Sequence, residues 1–407
     1  MRTWLDVADD DPFGPQALPY GSFVHGRAGP RVGVRIGSQV LDLSGLTETH
    51  AGLGHLFERG TLDDLLDADA TTWRAVRSFV HDQVTDPTRR VEVVPHLVPL
   101  EEVSLRLPFT VADYVDFYSS EHHASRVGEI FRPDAPRLPR PWRHLPIGYH
   151  GRAGTVVVSG TDVVRPRGQR LTADAEVVVG PTRKLDLEAE VAFVLGGSTT
   201  PGTSVDLDSA RSHVFGVCLL NDWSARDVQS WEYVPLGPFL GKSFATSISA
   251  WVLPLEALET ARVPPPPRET ALVDHLDDTG SGAEPWGLDL RLEVRINGEV
   301  IARPPFASTY WTAAQQLVHL TSNGATIRPG DVFASGTVSG PADDERGCLL
   351  ELTWDGTAPI SLSDGTTRGY LADGDVVTIT ATAPGPRGST VGLGEVSATV
   401  LPARAPE

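Results

Sequence analysis

The sequence reads as a mainly β protein with few helices, divided into a small N-terminal unit (residues 1–105) and a larger β-rich body (residues 106–407). Three observations lead there. Short runs of Val, Ile and Leu recur through the body with Gly, Pro, Asn or Asp between them. Leu288, Leu290, Leu292, Val294 and Ile296 alternate strictly, as on one face of a strand, before Asn297-Gly298 signals a tight hairpin. Helical periodicity is confined to a few windows, and neither an internal repeat nor a heptad pattern is present.

In the N-terminal unit, residues 31–43 alternate around Gly37-Ser38, the pattern of a hairpin turned at glycine. Residues 62–66 and 71–84 read as helices. In the second, Trp73, Val76, Val80 and Val84 recur every three or four positions and make one buried stripe, which Asp86-Pro87 ends. These elements predict a small barrel-like or mixed unit. In the body, residues 155–164, 189–195, 288–301 and 376–383 read as strands. Helices are expected over 206–213 and over 308–321, where Ala314, Leu317 and Val318 share a face. Residues 132–146 and 264–285 form Pro/Gly-rich loops longer than ordinary connections, either functional or covering segments.

With 407 residues the chain can bury a large core in two or three domains. Its 40% hydrophobic and 21% charged residues are those of a globular protein, and no apolar run approaches a membrane span. The N-terminal MRTWLDVADDDPFG has acids where a signal peptide is apolar, so a cytoplasmic location is expected. Cys218 and Cys348 are too few for a disulfide framework. Both sit in apolar runs without a neighbouring base, and read as small core residues in a reducing compartment. The net charge of −19 excludes a nucleic-acid partner, and an anionic substrate would need a local positive pocket.

The chemistry concentrates in residues 221–242 (NDWSARDVQSWEYVPLGPFLGK), a loop-like run of carboxylates, aromatics, Arg226, Gln229 and Lys242 with little amphipathic period. Glu188 and Glu190, two apart in LDLEAEVAFVL, point to one face of a strand. An isolated pair of this kind is usual on a solvated sheet face. Here the surrounding run is apolar, and two buried like charges call for a cation. Asp116, Glu188, Glu190 and Asp222 form an all-oxygen set that favours Mg²⁺ or Ca²⁺ over zinc, with Mn²⁺ also suited. His123 is a candidate general base, and Glu351, in the strand-like LLELTW, a candidate to orient it. Arg226, Gln229 and Lys242 are candidate donors to an oxyanion, although Arg226 has an ion pair with Asp227 or Glu232 as an alternative. Tyr118, Tyr149 and Tyr233 offer hydroxyls to a substrate or simply pack, and the Gly/Ser turn ASGTVSGP offers Thr337.

These segments resemble the fumarylacetoacetate hydrolase family. The resemblance rests on DFYSS followed by HA, on LPIGYHGRA, LDLEAEVAF, NDWSARDVQSWEYVPLGPFLGKSF and ASGTVSGP, and in front on LPYGSF and VGVRIGSQVLDLS. It implies an SH3-like N-terminal barrel, a large β-sandwich roll and a homodimer. It also implies a catalytic metal on Asp116, Glu188, Glu190 and Asp222, with a second, structural Mg²⁺ at Asp222, Lys242 and Thr246. His123 would be the base held by Glu351, with Arg226, Gln229 and Lys242 stabilising the oxyanion. Substrate contacts would fall to Tyr118, Arg132, Tyr149, Gln229, Tyr233 and Thr337. The implied reaction is metal-dependent hydrolysis of the carbon–carbon bond of 4-fumarylacetoacetate, in tyrosine and phenylalanine breakdown, with acylpyruvates or related β-diketo acids as the alternative substrates. A non-catalytic Ca²⁺-stabilised β protein would account for the carboxylates, but would leave His123, Arg226, Gln229 and Lys242 without a role.

Overall fold

The computed structural model describes residues 3–48, 52–280 and 286–405. The N-terminal strands Tyr20–His25, Arg31–Ile36, Gln39–Asp42, Leu97–Pro99 and Val103–Arg106 form a barrel-like meander. The expected hairpin turns at Gly37, whose φ of 56° suits a residue without a side chain. Helices Asp63–Asp67 and Ala70–Thr85 pack on this meander, burying Trp73, Val76, Val80 and Val84 as the periodicity requires. Tyr20 and Gly21 pair with Val252 and Trp251, which makes the meander continuous with the main sheet.

The main sheet continues through Trp251–Pro254, Val214–Asp222, Ala189–Leu195, Asp331–Ala334, Asp113–Phe117 and Gly148–His150. Its central strands are buried on both faces because two different cores cover them. Val191, Phe193, Val217, Leu219 and Phe333 face a second sheet, while Ala192, Val194, Cys218, Leu220 and Ala334 face the N-terminal helices and meander. The second sheet consists of Glu299–Ala302, Arg291–Ile296, Val376–Pro384, Thr390–Leu401 and Val163–Val164. Leu288, Leu290, Leu292, Val294 and Ile296 are all buried in the core between the sheets, and the hairpin turns at Asn297-Gly298, both with positive φ.

Four sequence expectations need correction. Residues 155–164 form two strands, Val156–Val158 and Val163–Val164, in different sheets, because Gly160 (φ 90°) turns the chain between them. Only Ala210–His213 of residues 206–213 is helical, as a 3₁₀ turn. The Asp206 side chain takes the Ser209 N–H at 2.8 Å and closes a local turn instead. The helix expected over 308–321 begins at Ala313, where Thr312 and Gln315 form a capping box. Residues 349–352 form a helical turn, Leu349–Leu352, rather than a strand.

Both long loops cover the fold, and the first also places Arg132 and Pro139 at a cavity. Trp142 is fully buried and donates from Nε1 to the Tyr118 carbonyl at 2.9 Å, while Trp311 donates to the Trp142 carbonyl at 3.0 Å. Leu276, in the second loop, packs on this aromatic cluster, and Arg268 of the same loop donates to Gln315 at 2.8 Å. Residues 281–285 of that loop lie outside the described residues.

Candidate active site

Strand periodicity and sheet register assemble the acidic cluster. Asp116, Glu190 and Asp222 lie on the same face of their strands as Tyr114, Ala192 and Leu220, the face covered elsewhere by the N-terminal core. Asp116 and Ala192 both pair with Ala334, a small residue, while Glu190 pairs with Leu220. The carboxylates therefore converge where these strands end. Oxygens of Asp116, Glu188, Glu190 and Asp222 all lie within 4.8 Å of one another, and all four residues are buried.

Their partners divide them. Glu188 lies 2.8 Å from Arg226 Nη2, without the alignment of a hydrogen bond, and takes a very short contact from Lys242 Nζ. Burial would raise its pKa, but Lys242 and Arg226 outweigh that and hold it below the usual carboxylate range. Asp222 accepts from Lys242 Nζ at 2.9 Å, Tyr149 Oη at 3.0 Å and Thr246 Oγ1 at 3.1 Å. Glu190 differs: neither oxygen has a hydrogen-bond partner among the described residues, nor has Asp116 Oδ1. Burial first, and then the neighbouring carboxylates, raise the pKa of both well above the ordinary range. Five buried acids (Asp116, Asp186, Glu188, Glu190 and Asp222) face two buried cations, Arg226 and Lys242. The orphaned oxygens, the all-oxygen donor set and this excess of negative charge fit a hard divalent cation.

His123 stands beside the cluster on the helix Glu121–Phe131, whose first turn is capped by Ser120. Ser120 Oγ in turn donates to the Ser339 carbonyl at 3.0 Å, tying the helix start to the ASGTVSGP turn. Glu351 Oε2 accepts from His123 Nδ1 at 2.6 Å and from Ser339 Oγ at 2.7 Å, and Arg126 Nη1 holds Oε1 at 3.1 Å. Burial pushes the Glu351 carboxyl upward, but His123, Ser339 and Arg126 outweigh it and bring it to about 2. An ionised Glu351 holds the Nδ1 proton toward itself, so Nε2 is the ring nitrogen turned to the cluster, 3.9 Å from Glu188 Oε1.

A cavity of roughly 400 Å³ opens onto this arrangement. Asp116, Tyr118, His123, Arg132, Tyr149, Glu188, Arg226, Gln229, Tyr233, Lys242 and Thr337 line it. Glu190 and Glu351 lie behind that lining, and Asp222 and Thr246 face an adjoining smaller cavity that shares Tyr149 and Lys242. All the residues singled out from the sequence thus meet in one region.

Several readings change in detail. Residues 221–242 are not one loop: Val214–Asp222 ends in them, and helix Arg226–Glu232 places Arg226 and Gln229 one turn apart, 3.1 Å between Nη1 and Oε1. Arg226 pairs with Asp186 and Glu188 instead of Asp227 or Glu232. Asp227 is engaged by Thr182 and Arg170. Lys242 is buried, and its ammonium has no lone pair, so a metal contact there would fall to its carbonyl. Cys348 is more than filler, since its Sγ lies 3.3 Å from Glu351 Oε2. Burial, then the charges of Glu351 and Asp186, raise that thiol well above its ordinary value, so it is a donor and not a nucleophile. Sequence reasoning missed Asp186, Arg126 and Ser339. Asp186 alternates with Glu188 and Glu190 in LDLEAE, a signal open to reading; the other two carry none.

Gly336 sets the position of Thr337. Its φ is 73°, and an added Cβ would lie 2.0 Å from the Phe117 carbonyl oxygen. Gly336→Ala is expected to destabilise the protein by about 2–4 kcal/mol, strain and clash together. A denaturant titration with an unchanged midpoint would contradict that.

Comparison with known proteins is consistent end to end. Residues 113–401 match the family described as fumarylacetoacetate hydrolase C-terminal, and residues 16–108 match fumarylacetoacetase N-terminal. The chain is similar to the fumarylacetoacetase of Homo sapiens, at 41% identity over 99% of this chain and 100% of that one. It is also similar to that of Arabidopsis thaliana, at 40% identity over 99% of each. Among solved structures, a fumarylacetoacetate hydrolase from psychrophilic Exiguobacterium antarcticum shares the fold, with a TM-score of 0.55 at 20% identity over 95% of this chain and 100% of that one.

Proposed function

The chain belongs to the fumarylacetoacetate hydrolase family, and on that premise we infer that it hydrolyses the carbon–carbon bond of 4-fumarylacetoacetate to fumarate and acetoacetate, the last step of tyrosine and phenylalanine breakdown. The observation that carries the reading is one cavity joining four clustered carboxylates to a histidine held by a carboxylate at 2.6 Å.

In this reading His123 Nε2 takes a proton from water as its oxygen attacks the carbonyl on the fumaryl side. Glu351, kept ionised, stabilises the imidazolium that forms. Arg226, Gln229 and Lys242 donate to the tetrahedral oxyanion. As that oxyanion collapses, the carbon–carbon bond breaks and its electron pair leaves with acetoacetate. The imidazolium returns the proton to that product, and fumarate remains. A divalent ion on Asp116, Glu188, Glu190 and Asp222 would supply a Lewis acid for the two oxygens of a β-diketone and spread the charge of the poor carbon leaving group. Mg²⁺ or Ca²⁺ suits these ligands, and Mn²⁺ also fits. Asp222, Thr246 and the Lys242 carbonyl would serve a second, structural Mg²⁺. Tyr118, Arg132, Tyr149, Gln229, Tyr233 and Thr337 would hold the substrate's carboxylates and chain. Arg132, together with a divalent ion that offsets the excess of buried carboxylates, would supply the local positive charge that a chain of net charge −19 needs against an anionic substrate. The further proposals are a domain boundary near residue 105, a homodimer and a cytoplasmic location; among the described residues no helix is long and apolar enough to cross a membrane.

The test follows the diketone's ultraviolet absorbance with purified protein and 4-fumarylacetoacetate, with and without EDTA. Rapid, EDTA-sensitive loss yielding fumarate and acetoacetate is expected. No turnover, beside activity on an acylpyruvate, would overturn the substrate assignment.

A further inference from the structure

Asp186 has no exposed surface and does not line the cavity, yet it touches both halves of the proposed machinery. Its Oδ2 accepts from Arg226 Nε at 2.9 Å and from the Leu350 N–H at 2.9 Å, and its Oδ1 accepts from the Leu349 N–H at 2.7 Å and the Leu187 N–H at 2.8 Å. Leu349 and Leu350 open the helical turn Leu349–Leu352 that carries Glu351. Their N–H groups have no partner inside the turn, as at any helix start, and Asp186 supplies it. On its other side Arg226 reaches Gln229 through Nη1 and Glu188 through Nη2, so the bond from Nε decides how the guanidinium is rotated.

We propose that Asp186 is a positioning residue: one buried carboxylate fixes the oxyanion-donating Arg226 and, through the Leu349–Leu352 turn, the Glu351 that orients His123. This rests on the roles proposed above for Arg226, Glu351 and His123. An asparagine cannot replace it. With one acceptor oxygen it faces four donors, and its amide N–H₂ would point at donors. If Asp186 only held the fold, its loss would lower stability while leaving the geometry of folded molecules, and hence kcat per folded molecule, unchanged.

The experiment compares wild type, Asp186→Asn, Arg226→Lys, Glu351→Gln and the two double variants. Asp186→Asn is expected to lower kcat about 10–100-fold, the usual cost of losing a partner that orients a working side chain, with KM little changed. Each double variant should lose less than the product of its single losses, because the two changes damage one element. Independently of substrate, proton NMR reads the His123 Nδ1–H donated to Glu351, assigned by its disappearance in His123→Ala. In Asp186→Asn that resonance should shift or broaden. An unchanged resonance together with multiplicative losses in both double variants overturns the proposal, as does failure of both Asp186→Asn and Asp186→Ser to fold. Because the resonance needs no turnover, a wrong substrate would defeat the functional reading and leave this one standing or falling by itself.

Discussion

Replacing His123 by alanine should lower kcat by about 10³-fold, within the range that a positioned acid–base group contributes, while KM and metal affinity stay near wild type. The structure says why the loss should be confined to rate. Glu351 would lose one donor but keep Arg126 at 3.1 Å and Ser339 at 2.7 Å, so no uncompensated buried charge is left. The Ser120 cap bonds to the backbone N–H of residue 123, which alanine retains. The acidic cluster would lose nothing nearer than a ring nitrogen 3.9 Å from Glu188. Steady-state kinetics beside a calorimetric metal titration check this. A kcat within a few-fold of wild type would remove His123 from the chemistry, and lost metal binding would make it part of the metal site.

The second large effect concerns Glu190. Its oxygens are buried without hydrogen-bond partners among the described residues and repelled by Asp116, Glu188 and Asp222, which raises its pKa well above the ordinary range. A carboxyl raised on folding favours the folded state only while protonated, so in metal-free protein that contribution fades as pH climbs past the unfolded carboxylate value. Glu190→Gln removes the ionisation. Metal-free variant should therefore melt at or above the metal-free wild type at pH 7, even though it has lost a native side chain. Added Mg²⁺, Ca²⁺ or Mn²⁺ should raise the melting temperature of wild type by mass action and barely move the variant. Metal affinity should fall about 100-fold or more, beyond what loss of a supporting partner costs. Thermal scans in EDTA and in metal read both arms; an unchanged metal-induced shift would take Glu190 out of the ligand set.

The parts of the site legible in the sequence are those that short-range geometry dictates. Two-residue periodicity puts Glu188 and Glu190 on one face whatever the rest of the chain does. Asn297-Gly298 specifies its hairpin because both residues accept positive φ. The Trp73–Val84 stripe follows from 3.6 residues per turn. Local turns and a capping box cut short the elements expected over 155–164, 206–213 and 308–321, whereas around the site a contact from a distant segment overrode the local pattern. The apolar LLELTW reads as a strand, but the Asp186 carboxylate caps residues 349 and 350 and winds them into a turn. The arginine at 226 has acidic neighbours one and six positions away, yet the fold turns it toward residues 40 and 38 positions back.

Composition, periodicity and motif were thus enough to indicate a mainly β chain, an oxygen-rich carboxylate set and a candidate histidine base, because each depends on residue type and nearest neighbours. They could not establish which acid each cation chooses, that Cys348, Ser339 and Arg126 surround Glu351, or that Asp186 contacts both Arg226 and the turn that carries Glu351. Apart from Cys348 and Ser339, three and twelve positions from Glu351, those pairings join residues far apart in the chain. They exist only because sheet register brings strand ends together in a buried place, where a charge must find a partner and the fold decides which partners are within reach.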